Sequence, residues 1–386
     1  MKILNFKKLL SQVLVFALVQ SGVAHSLEAK LDEKTGTITI HRDGLAKPVV
    51  TQNAAADHRP YLHPIIGPNG KGEFTQYSPG HHKHQTGIYW GFTRLNGRDY
   101  FHNPRGDYWK RKDVKVIEAK GDSVKWETVY DLLDANGNAV LTETQRWSMT
   151  SSKDRHVLDL EWMGTGQTNV NIGKYPYGGL FVRMPWKKGI KGEAVNAARD
   201  TDRRAEGKRA MWLDVGMEID GRDDWGHIAI FDHHKNAGYP QPWRVDGQLG
   251  VGPVRARLGD WNIAKGKTET IRHQIQVYGG KLNGKELTDR WKAYTGQRGT
   301  YALWQLAKRA GRDAKFLTPQ EAVDNSTIEG GFTVNSWANE PMITQPMAFC
   351  WDDKGRMWVA ENRDYETRGR GFSASGDSRI LILEDT

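Results

Sequence analysis

The alternation of apolar and polar residues has a period of two from about residue 30 to residue 280. Turn clusters such as Asp134–Gly137 and Ser152–Asp154 interrupt it. Short alternating segments divided by turns, without helical periods between them, are typical of antiparallel sheets. The pattern therefore predicts a mainly β fold, a large antiparallel β-sandwich over residues 25–296. The clearest strand candidates are Thr37–His41, Val114–Ala119, Val124–Leu132, Val140–Met149, His156–Trp162, Leu180–Met184, His227–Phe231 and Arg272–Tyr278.

The period changes near residue 284. Leu287, Trp291 and Tyr294 share one face of a helix predicted over Glu286–Tyr294, with Gly296 as its C-cap. We expect a helical linker over residues 297–326 and a second, incomplete β domain over residues 327–386. Helical segments are predicted at Tyr301–Ala310 and Gln320–Val323, and strands at Gly331–Trp337, Met347–Phe349, Met357–Ala360 and Ile380–Leu383.

Residues 1–24 have the pattern of a secretory signal peptide. Three lysines in Met1–Lys8 precede the apolar run Leu9–Val19, and the small residues Gly22-Val23-Ala24 suit a cleavage site. The run is shorter than the roughly 20 apolar residues of a membrane span, and no later segment could form one. We expect an exported chain, periplasmic or extracellular, without a membrane span.

Amino-acid composition limits the kinds of molecule that the chain is expected to bind. The formal net charge of +9 is spread along the chain, without a basic run that carries aromatic residues, so we expect no nucleic acid partner. The single cysteine, Cys350, excludes an intramolecular disulfide and a cysteine-rich zinc site. Fifteen tryptophans suit carbohydrate binding, because the apolar face of a pyranose stacks on aromatic rings.

A first histidine cluster, His81, His82 and His84, lies between Pro79-Gly80 and a predicted strand over residues 88–92. We expect a loop that runs into this strand, with His82 and His84 pointing one way and His81 the other. Imidazole titrates near neutrality, so these side chains could exchange protons with a sugar hydroxyl or bind a metal. They could also only bond backbone carbonyls, and no HExxH spacing supports zinc.

A second histidine cluster, His233 and His234, lies just after the predicted strand His227–Phe231. Asp232 could orient one of the two rings. A polar turn capped by Asp232 explains these residues equally well. If both clusters form one site, they must meet in space near Arg183 and Trp243.

Several further residues are candidates for the site. Arg183 follows apolar strand residues, so it is either paired with a carboxylate or aimed into a pocket. Glu143 and Arg146 fit a solvated face better than a site. The substrate-binding candidates are aromatic, histidine or lysine side chains near these segments: Trp243, Tyr177, Lys174, His234, His63 and Trp90.

Short motifs in a fixed order span residues 57–295. They are Arg59-Pro60-Tyr61, His63-Pro64, Gly80–Gly91, Tyr177–Leu180 with Arg183, Ile228–His233 and Pro242-Trp243. Together they resemble the exported bacterial family labelled PmoA-like, or methane oxygenase PmoA. The methane label does not fit this chain, because a membrane methane oxygenase needs several transmembrane helices.

A second set of motifs covers residues 318–386: Thr318–Ala322, Gln345–Ala348, Asp353–Glu361 and Asp377–Thr386. These are similar to the start of the β-propeller in large exported dehydrogenase-like proteins, related to quinone-dependent sugar dehydrogenases. A propeller has ~4–8 blades of four strands. The resemblance implies about one blade, attached to the remainder of a longer chain, and no quinone site can be carried over.

These observations favour an exported carbohydrate-active protein that acts on a sugar or glycoside by histidine acid/base chemistry. Its sandwich is comparable to that of aldose epimerases at the level of fold. The catalytic candidates are His81, His82, His84, His233 and Arg183.

Two alternatives remain open. One is a redox or metal-binding protein in which His82, His84 and His233 hold copper or zinc, although the sequence requires no cofactor. The other is a non-catalytic glycan-binding module attached to a dehydrogenase-like propeller.

Overall fold

The computed structural model describes residues 25–296, 317–326, 328–340, 342–363, 365–367, 371–372 and 378–384. The expected signal segment 1–24 and the expected helix Tyr301–Ala310 lie outside the described residues.

Two large antiparallel sheets form the body of the protein. Its strands in chain order are β1 (Leu27–Asp32), β2 (Thr37–Arg42), β3 (Val50–Asn53), β4 (Tyr61–Ile65), β5 (Ile88–Gly91), β6 (Trp109–Glu118), β7 (Lys120–Gly121), β8 (Ser123–Leu133), β9 (Ala139–Ser151), β10 (Arg155–Gly166), β11 (Val170–Ile172), β12 (Gly179–Val182), β13 (Gly192–Asn196), β14 (Trp212–Glu218), β15 (Trp225–Asp232), β16 (Trp243–Val245), β17 (Val251–Pro253), β18 (Trp261–Ile263) and β19 (Thr268–Gly280). Short 3-10 turns lie at Gly106–Tyr108, Asp202–Arg204 and Arg255–Leu258.

Among the described residues, sheet 1 has nine strands in the order β16-β17-β12-β5-β4-β3-β2-β1-β7. Sheet 2 has eight strands in the order β13-β14-β15-β19-β10-β9-β8-β6. A separate pair joins β11 and β18. Sheet 1 matters most for function, because β4, β5 and β12 are neighbours at its centre although β12 follows β5 by nearly 90 residues.

The prediction of a mainly β protein with large antiparallel sheets is confirmed. Alternate residues of β2 and β10 are buried, as the period of two requires when one face packs on a core. The core between the sheets is rich in tryptophan: Trp90 of sheet 1 stacks on Trp162 of sheet 2 with ring centroids 4.7 Å apart. Each such buried aromatic side chain contributes roughly 2–3 kcal/mol by leaving water.

A polar network runs through this core. Glu143 is buried, and its carboxylate accepts hydrogen bonds from Gln145 Nε2 (2.8 Å) and Trp162 Nε1 (2.8 Å). Gln145 in turn accepts from Trp147 Nε1 at 3.2 Å. The prediction of a solvated face was therefore wrong for Glu143, because β9 directs this residue towards sheet 1. It holds for Arg146, which is exposed and pairs with the buried Glu127 and the half-buried Glu161.

Helix α1 (Gly284–Thr295) follows β19 and matches its prediction closely. Asn283 caps its first turn, and Gly296 ends it in the left-handed conformation at φ +69°. Leu287 and Trp291 are buried, and Trp291 Nε1 donates to the backbone oxygen of Asp232 at 2.9 Å. The helix thereby covers the end of β15.

The C-terminal segment contains helix α2 (Pro319–Asp324), which begins with a capping box between Thr318 and Glu321. Strands β20 (Pro346–Trp351), β21 (Met357–Glu361), β22 (Tyr365–Thr367), β23 (Gly371–Phe372) and β24 (Arg379–Leu383) follow. Strands β20, β21 and β24 form one antiparallel sheet, and β22 pairs with β23. The strand predicted over Gly331–Trp337 does not form, because those residues are exposed or half-exposed and make no ladder.

The buried Glu143 generates a testable pH dependence. Burial raises the pKa of its carboxyl from an ordinary value of 4.5 to about 7, although Trp162 and Gln145 act in the opposite direction. The folded state therefore keeps a proton that the unfolded state has lost, so this group stabilises the fold less as pH rises from 4.5 to about 7. Relative to wild type, the free energy of unfolding of Glu143→Gln should improve by about 3 kcal/mol across that window.

Urea unfolding between pH 4.5 and 7.5 would measure this change. Comparing two variants cancels the contribution of Asp232, whose pKa burial also raises to about 7. Glu33→Gln in the exposed turn after β1 is the control for simple charge removal. A difference between wild type and Glu143→Gln that does not change with pH would contradict the raised pKa.

Candidate functional site

The outer face of sheet 1, opposite the core, carries a row of aromatic side chains at β4, β5 and β12. Tyr61, Tyr89 and Phe181 are directly paired across these strands, whereas Leu62, Ile88 and Val182 form the adjacent row that points into the core. Phe101 joins the outer row, with its ring 5.4 Å from Tyr89 and 5.5 Å from Phe181. We call Tyr61, Tyr89, Phe101 and Phe181 the aromatic floor.

The segment from Gln76 to Gly87 forms a loop above this floor and carries the first histidine cluster. The backbone N–H of Ser78 donates to Gln85 O (2.7 Å), and that of Gln85 donates to His82 O (3.0 Å). The predicted loop is therefore present, but its side chains do not alternate as they would in a strand. The side chains of His81 and His82 turn towards each other, with their Nδ1 atoms 2.7 Å apart, and the His81 ring lies beside Trp186.

Arg59 joins this loop to the segment that carries Phe101. It is fully buried, and its guanidinium lies over the Tyr89 ring, 3.7 Å from the centroid. Nη2 donates to His84 O (2.7 Å), and Nη1 donates to Phe101 O (2.8 Å). Burial lowers its pKa to about 10, so it remains charged at neutral pH. Arg59 is thus a positioning residue for two segments of the site.

His84 and His102 form the chemical centre, with ring centroids 4.4 Å apart. His102 lies against Asp99, whose Oδ2 is 2.7 Å from His102 Nδ1. The other oxygen of Asp99 accepts the backbone N–H groups of Phe101 and His102, both at 3.0 Å. Asp99 therefore fixes the ring orientation of His102 and leaves Nε2 for chemistry.

The electrostatic environments of the two rings differ. Burial, followed by the nearby His102 and Arg59, lowers the pKa of His84 to about 3, so this imidazole stays neutral across the physiological range. His102 has the Asp99 carboxylate beside it, 2.7 Å from Nδ1. The pair therefore consists of one ring held neutral and one ring oriented by a carboxylate.

Tyr177 forms the opposite wall of the site. Its ring lies 5.2 Å from Phe101 and 5.7 Å from His102. Arg244 lies 5.6 Å from the Tyr177 ring centroid, and Tyr175 packs against the same ring at 4.8 Å. Burial raises the pKa of the Tyr177 phenol to about 12. The prediction of Tyr177 as a substrate-binding residue fits its half-buried position, and the exposed Lys174 lies on the same segment.

Arg183 is fully buried and resolves the alternatives offered by the sequence. Its Nη2 donates to Asp246 Oδ2 at 2.7 Å, and its Nε donates to Gln85 Oε1 at 2.5 Å. Nη1 donates to the backbone oxygen of Gln248. Its donors are therefore used by the protein, and Arg183 anchors the histidine loop to the 246–248 turn rather than clamping a ligand.

Two of the predicted substrate-binding aromatics are core residues instead. Trp243 is fully buried, and its Nε1 donates to Ala210 O at 2.9 Å, so it offers no open platform. Trp90 is only 3% exposed and faces Trp162 between the sheets. Their place in β16 and β5 points both indoles inward. His63 lies nearer the site: its ring packs on Tyr77, and its Nδ1 is 3.0 Å from Thr75 Oγ1.

The second histidine cluster does not join the first. The His233 ring stacks on His234 at 4.5 Å and contacts Tyr294 of α1, at the end of a strand of sheet 2. The ring neighbours of the first cluster are Phe101, His102 and Trp186 instead. We find no shared contact between the clusters in the described part of the chain. The hypothesis of one site containing both is therefore wrong.

Within the described ranges, no group of three or more His, Cys, Asp or Glu side chains is arranged to hold a metal ion. The metal set His82, His84 and His233 is accordingly not assembled. No described helix is long and apolar enough to cross a membrane.

A separate cavity of about 570 Å³ lies on the outer face of sheet 2, beside Asp214, Trp225 and His227. His227 Nδ1 is 2.8 Å from Asp214 Oδ1, and Tyr278 donates to the other oxygen at 2.6 Å. His227 Nε2 also lies 3.2 Å from Gly280 O, so both of its ring nitrogens are engaged within the protein and it is a weaker acid/base candidate than His102. None of the residues beside this cavity was predicted from the sequence to be a site residue.

Sequence reasoning missed Asp99, His102 and Phe101. The signal was present in the run Asp99-Tyr100-Phe101-His102, because an aspartate three residues before a histidine can cap a turn and orient the ring. It missed Arg59 as an anchor, since its partners are backbone oxygens of distant segments.

Comparison with protein families corrects both family resemblances. The model described as "Family of unknown function (DUF6807)" matches residues 37–292, and the model described as "Domain of unknown function (DUF7133)" matches residues 318–386. The resemblance to the PmoA-like family was therefore wrong, and so was the resemblance to the propeller of sugar dehydrogenases. No curated protein matches the chain.

Solved structures show only distant likeness. The GH36 α-galactosidase AgaB from Geobacillus stearothermophilus aligns with a TM-score of 0.37 and 10% identity, over 70% of this chain and 44% of that one. The galactosidase domain of the α-galactosidase–sucrose kinase AgaSK aligns at 0.32 and 12%, over 65% and 42%. A galactose mutarotase-related enzyme from Lactobacillus acidophilus aligns at 0.27 and 10%, over 66% and 100%. Likeness at this level supports no functional argument.

The Tyr89 hydroxyl provides a test of the site. It is buried and has no hydrogen-bond partner among the described residues. An unpaired buried hydroxyl costs free energy, so Tyr89→Phe should leave the free energy of unfolding unchanged or raise it by about 1 kcal/mol. Urea unfolding would measure the change.

The matched control is Tyr130→Phe, because the buried Tyr130 hydroxyl donates to Ala55 O at 2.7 Å. This variant should lose about 1 kcal/mol. An equal loss in both variants would show that the Tyr89 hydroxyl is satisfied within the protein and is not held for a ligand.

Proposed function

The chain belongs to the family of unknown function DUF6807, and we propose that it is a carbohydrate-active protein that moves protons on a sugar held against the half-buried rings of Tyr61 and Tyr177. His102, oriented by Asp99, is the acid/base group, and His84 is the neutral partner that bonds a sugar hydroxyl. The observation that carries the proposal is the His84–His102 pair, 4.4 Å apart, with a carboxylate behind one ring only.

The half-buried rings of Tyr61 and Tyr177 supply the accessible aromatic surface of the site. Tyr89, Phe101 and Phe181 are buried beneath them and support their positions. Aromatic rings suit the apolar C–H face of a pyranose, while the phenol and imidazole groups bond its hydroxyls.

The chemistry follows from the protonation states. Asp99 holds the proton of His102 on Nδ1, so Nε2 presents a lone pair that can accept a proton from a sugar hydroxyl. When that hydroxyl is the anomeric one, the imidazolium returns the proton to the ring oxygen while the bond from C1 to the ring oxygen breaks and C1 becomes a carbonyl, which opens the ring without a covalent intermediate on the protein. In a glycoside the proton comes instead from a water whose oxygen bonds to C1, and it goes to the departing glycosidic oxygen. A positioned acid/base group of this kind contributes about 10²–10⁴-fold to the rate.

We also propose that the chain is exported, on the pattern of residues 1–24, and that residues 25–296 form the domain that carries the site. N-terminal sequencing of the secreted protein should find a mature chain that begins near residue 25. A full-length chain confined to the cytoplasm would contradict this part of the proposal.

The main test removes the His102 function in two ways. His102→Gln and Asp99→Asn should each lower kcat by about 10²–10⁴-fold and leave KM within a few fold, because substrate contacts with the aromatic floor persist. Anomer exchange and glycoside hydrolysis would be followed by NMR on a panel containing glucose, galactose and their uronic acids. His41→Ala on β2 is the control for removing a histidine elsewhere.

The pH profile adds an independent readout. His84 is neutral over the working range because its pKa is lowered to about 3, so its ionisation should not appear between pH 5 and 8. Asp99→Asn should lower the rate across this whole range, since His102 loses the carboxylate that orients its ring. Sugar binding without turnover on the whole panel would favour a glycan-binding module instead.

A further inference from the structure

The wall formed by Tyr175 and Tyr177 carries more positive than negative charge. Glu206 Oε1 accepts hydrogen bonds from both Arg244 and Arg257, and its other oxygen accepts the Val245 N–H. One carboxylate thus serves two guanidinium groups, which leaves a net charge of about +1 at this point. Arg94 lies over the Tyr175 ring at 4.7 Å and adds another cation.

The two arginines that share Glu206 have different freedom. Arg257 Nε also donates to Pro176 O at 2.6 Å, so this side chain holds residues 175–177, the tyrosine segment, in place. Arg244 is half-buried and lies beside the Tyr177 ring. Only its Nη1 bonds to a described side chain, that of Glu206, and Nε and Nη2 have no partner in the described part of the protein.

Elsewhere in the site the charges are closer to balance. Arg183 pairs with Asp246. The buried Arg59 forms hydrogen bonds with backbone oxygens and the Thr86 hydroxyl, and its charge is offset in part by the Asp99 carboxylate. The excess positive charge is therefore at the wall formed by Tyr175 and Tyr177.

We propose that the substrate is an acidic sugar, a uronic acid or a glycan that contains one, whose carboxylate binds Arg244 beside Tyr177. This inference rests on the proposed function, since it places the sugar ring against Tyr177 next to His102. A guanidinium with two neighbouring N–H groups available matches the geometry of a carboxylate, and the Tyr177 ring limits hydration around the pair. Arg244 is then a specificity-determining residue.

The experiment compares two matched sugar pairs by calorimetry: D-galacturonate with D-galactose, and D-glucuronate with D-glucose. Each pair differs only in a carboxylate or a hydroxymethyl group at C6. At low salt the acids should bind at least about 10-fold more tightly than the neutral sugars, and the ratio should fall as salt is raised.

Arg244→Gln should lower the affinity for the acids about 10-fold and leave that for the neutral sugars unchanged. Arg244→Lys should restore part of the loss, because it keeps the charge without the planar fork. Arg146→Gln is the matched control, an exposed arginine of sheet 2 that is also paired with glutamates. Folding of Arg244→Gln is protected because Arg257 still pairs with Glu206, and a thermal melt would verify it.

The outcomes separate the two proposals. Equal affinity for acidic and neutral sugars, with His102-dependent turnover retained, would overturn the acidic substrate and leave the proposed function standing. Failure of every sugar to bind would overturn both. If inorganic sulfate or phosphate bound as tightly as the uronates and depended equally on Arg244, the site would be a simple anion site and the acidic-sugar proposal would fail.

Discussion

A buried cation without a carboxylate partner holds the candidate site together. Arg59 lies under the site, against the Tyr89 ring, and its two terminal nitrogens bind the backbone oxygens of His84 and Phe101. Moving such a charge out of water is costly, so these hydrogen bonds must be kept together. His84 and His102, which lie on separate segments, are consequently brought to a fixed separation. A smaller or neutral side chain at residue 59 would release both segments at once.

The two faces of sheet 1 explain why the candidate site lies on the outer face of this sheet. One row of β4, β5 and β12 packs into the tryptophan-rich core, and the next row carries Tyr61, Tyr89 and Phe181 on the other side. The strands are therefore buried on both faces, as β5 shows, where all four residues are buried. The histidine loop (residues 76–87) and the tyrosine segment (residues 175–177) cover this outer face and enclose the aromatic floor. A rigid sheet below and two anchored loops above give the site its geometry.

The sheets and helix α1 could be predicted from the sequence because their signals are local. A period of two needs only neighbouring residues, and the α1 ends depend on Asn283 and Gly296. The interior could not be predicted in the same way. Glu143 has the residue type of a surface position although its spacing puts it on the buried face of β9, and the hydrogen bonds from Gln145 and Trp162 make its burial tolerable. Trp243 was expected to offer an aromatic platform for substrate because it is a tryptophan, but its position on β16 directs the ring into the core.

The site was predicted in part, for a related physical reason. The His81–His84 loop, Tyr177 and His63 could be found because clusters and aromatic residues are visible in the sequence. The pairing of His84 with His102 depends on Arg59, whose partners lie 25 and 42 residues away. The expected contact between His233 and the first histidine cluster does not form, because His233 lies at the end of a strand of sheet 2 and packs against α1.

Charge distribution adds a constraint that residue type alone does not reveal. Counting arginines in the sequence treats Arg183 and Arg244 alike, but Arg183 has its donors filled by Asp246, Gln85 and a backbone oxygen. Arg244 shares a single carboxylate with Arg257 and faces Tyr177. Selectivity for an anion therefore resides in the arginine with the incomplete set of partners. The fully paired arginine serves the fold, and the two roles can be separated only once every donor in the site has been assigned to an acceptor.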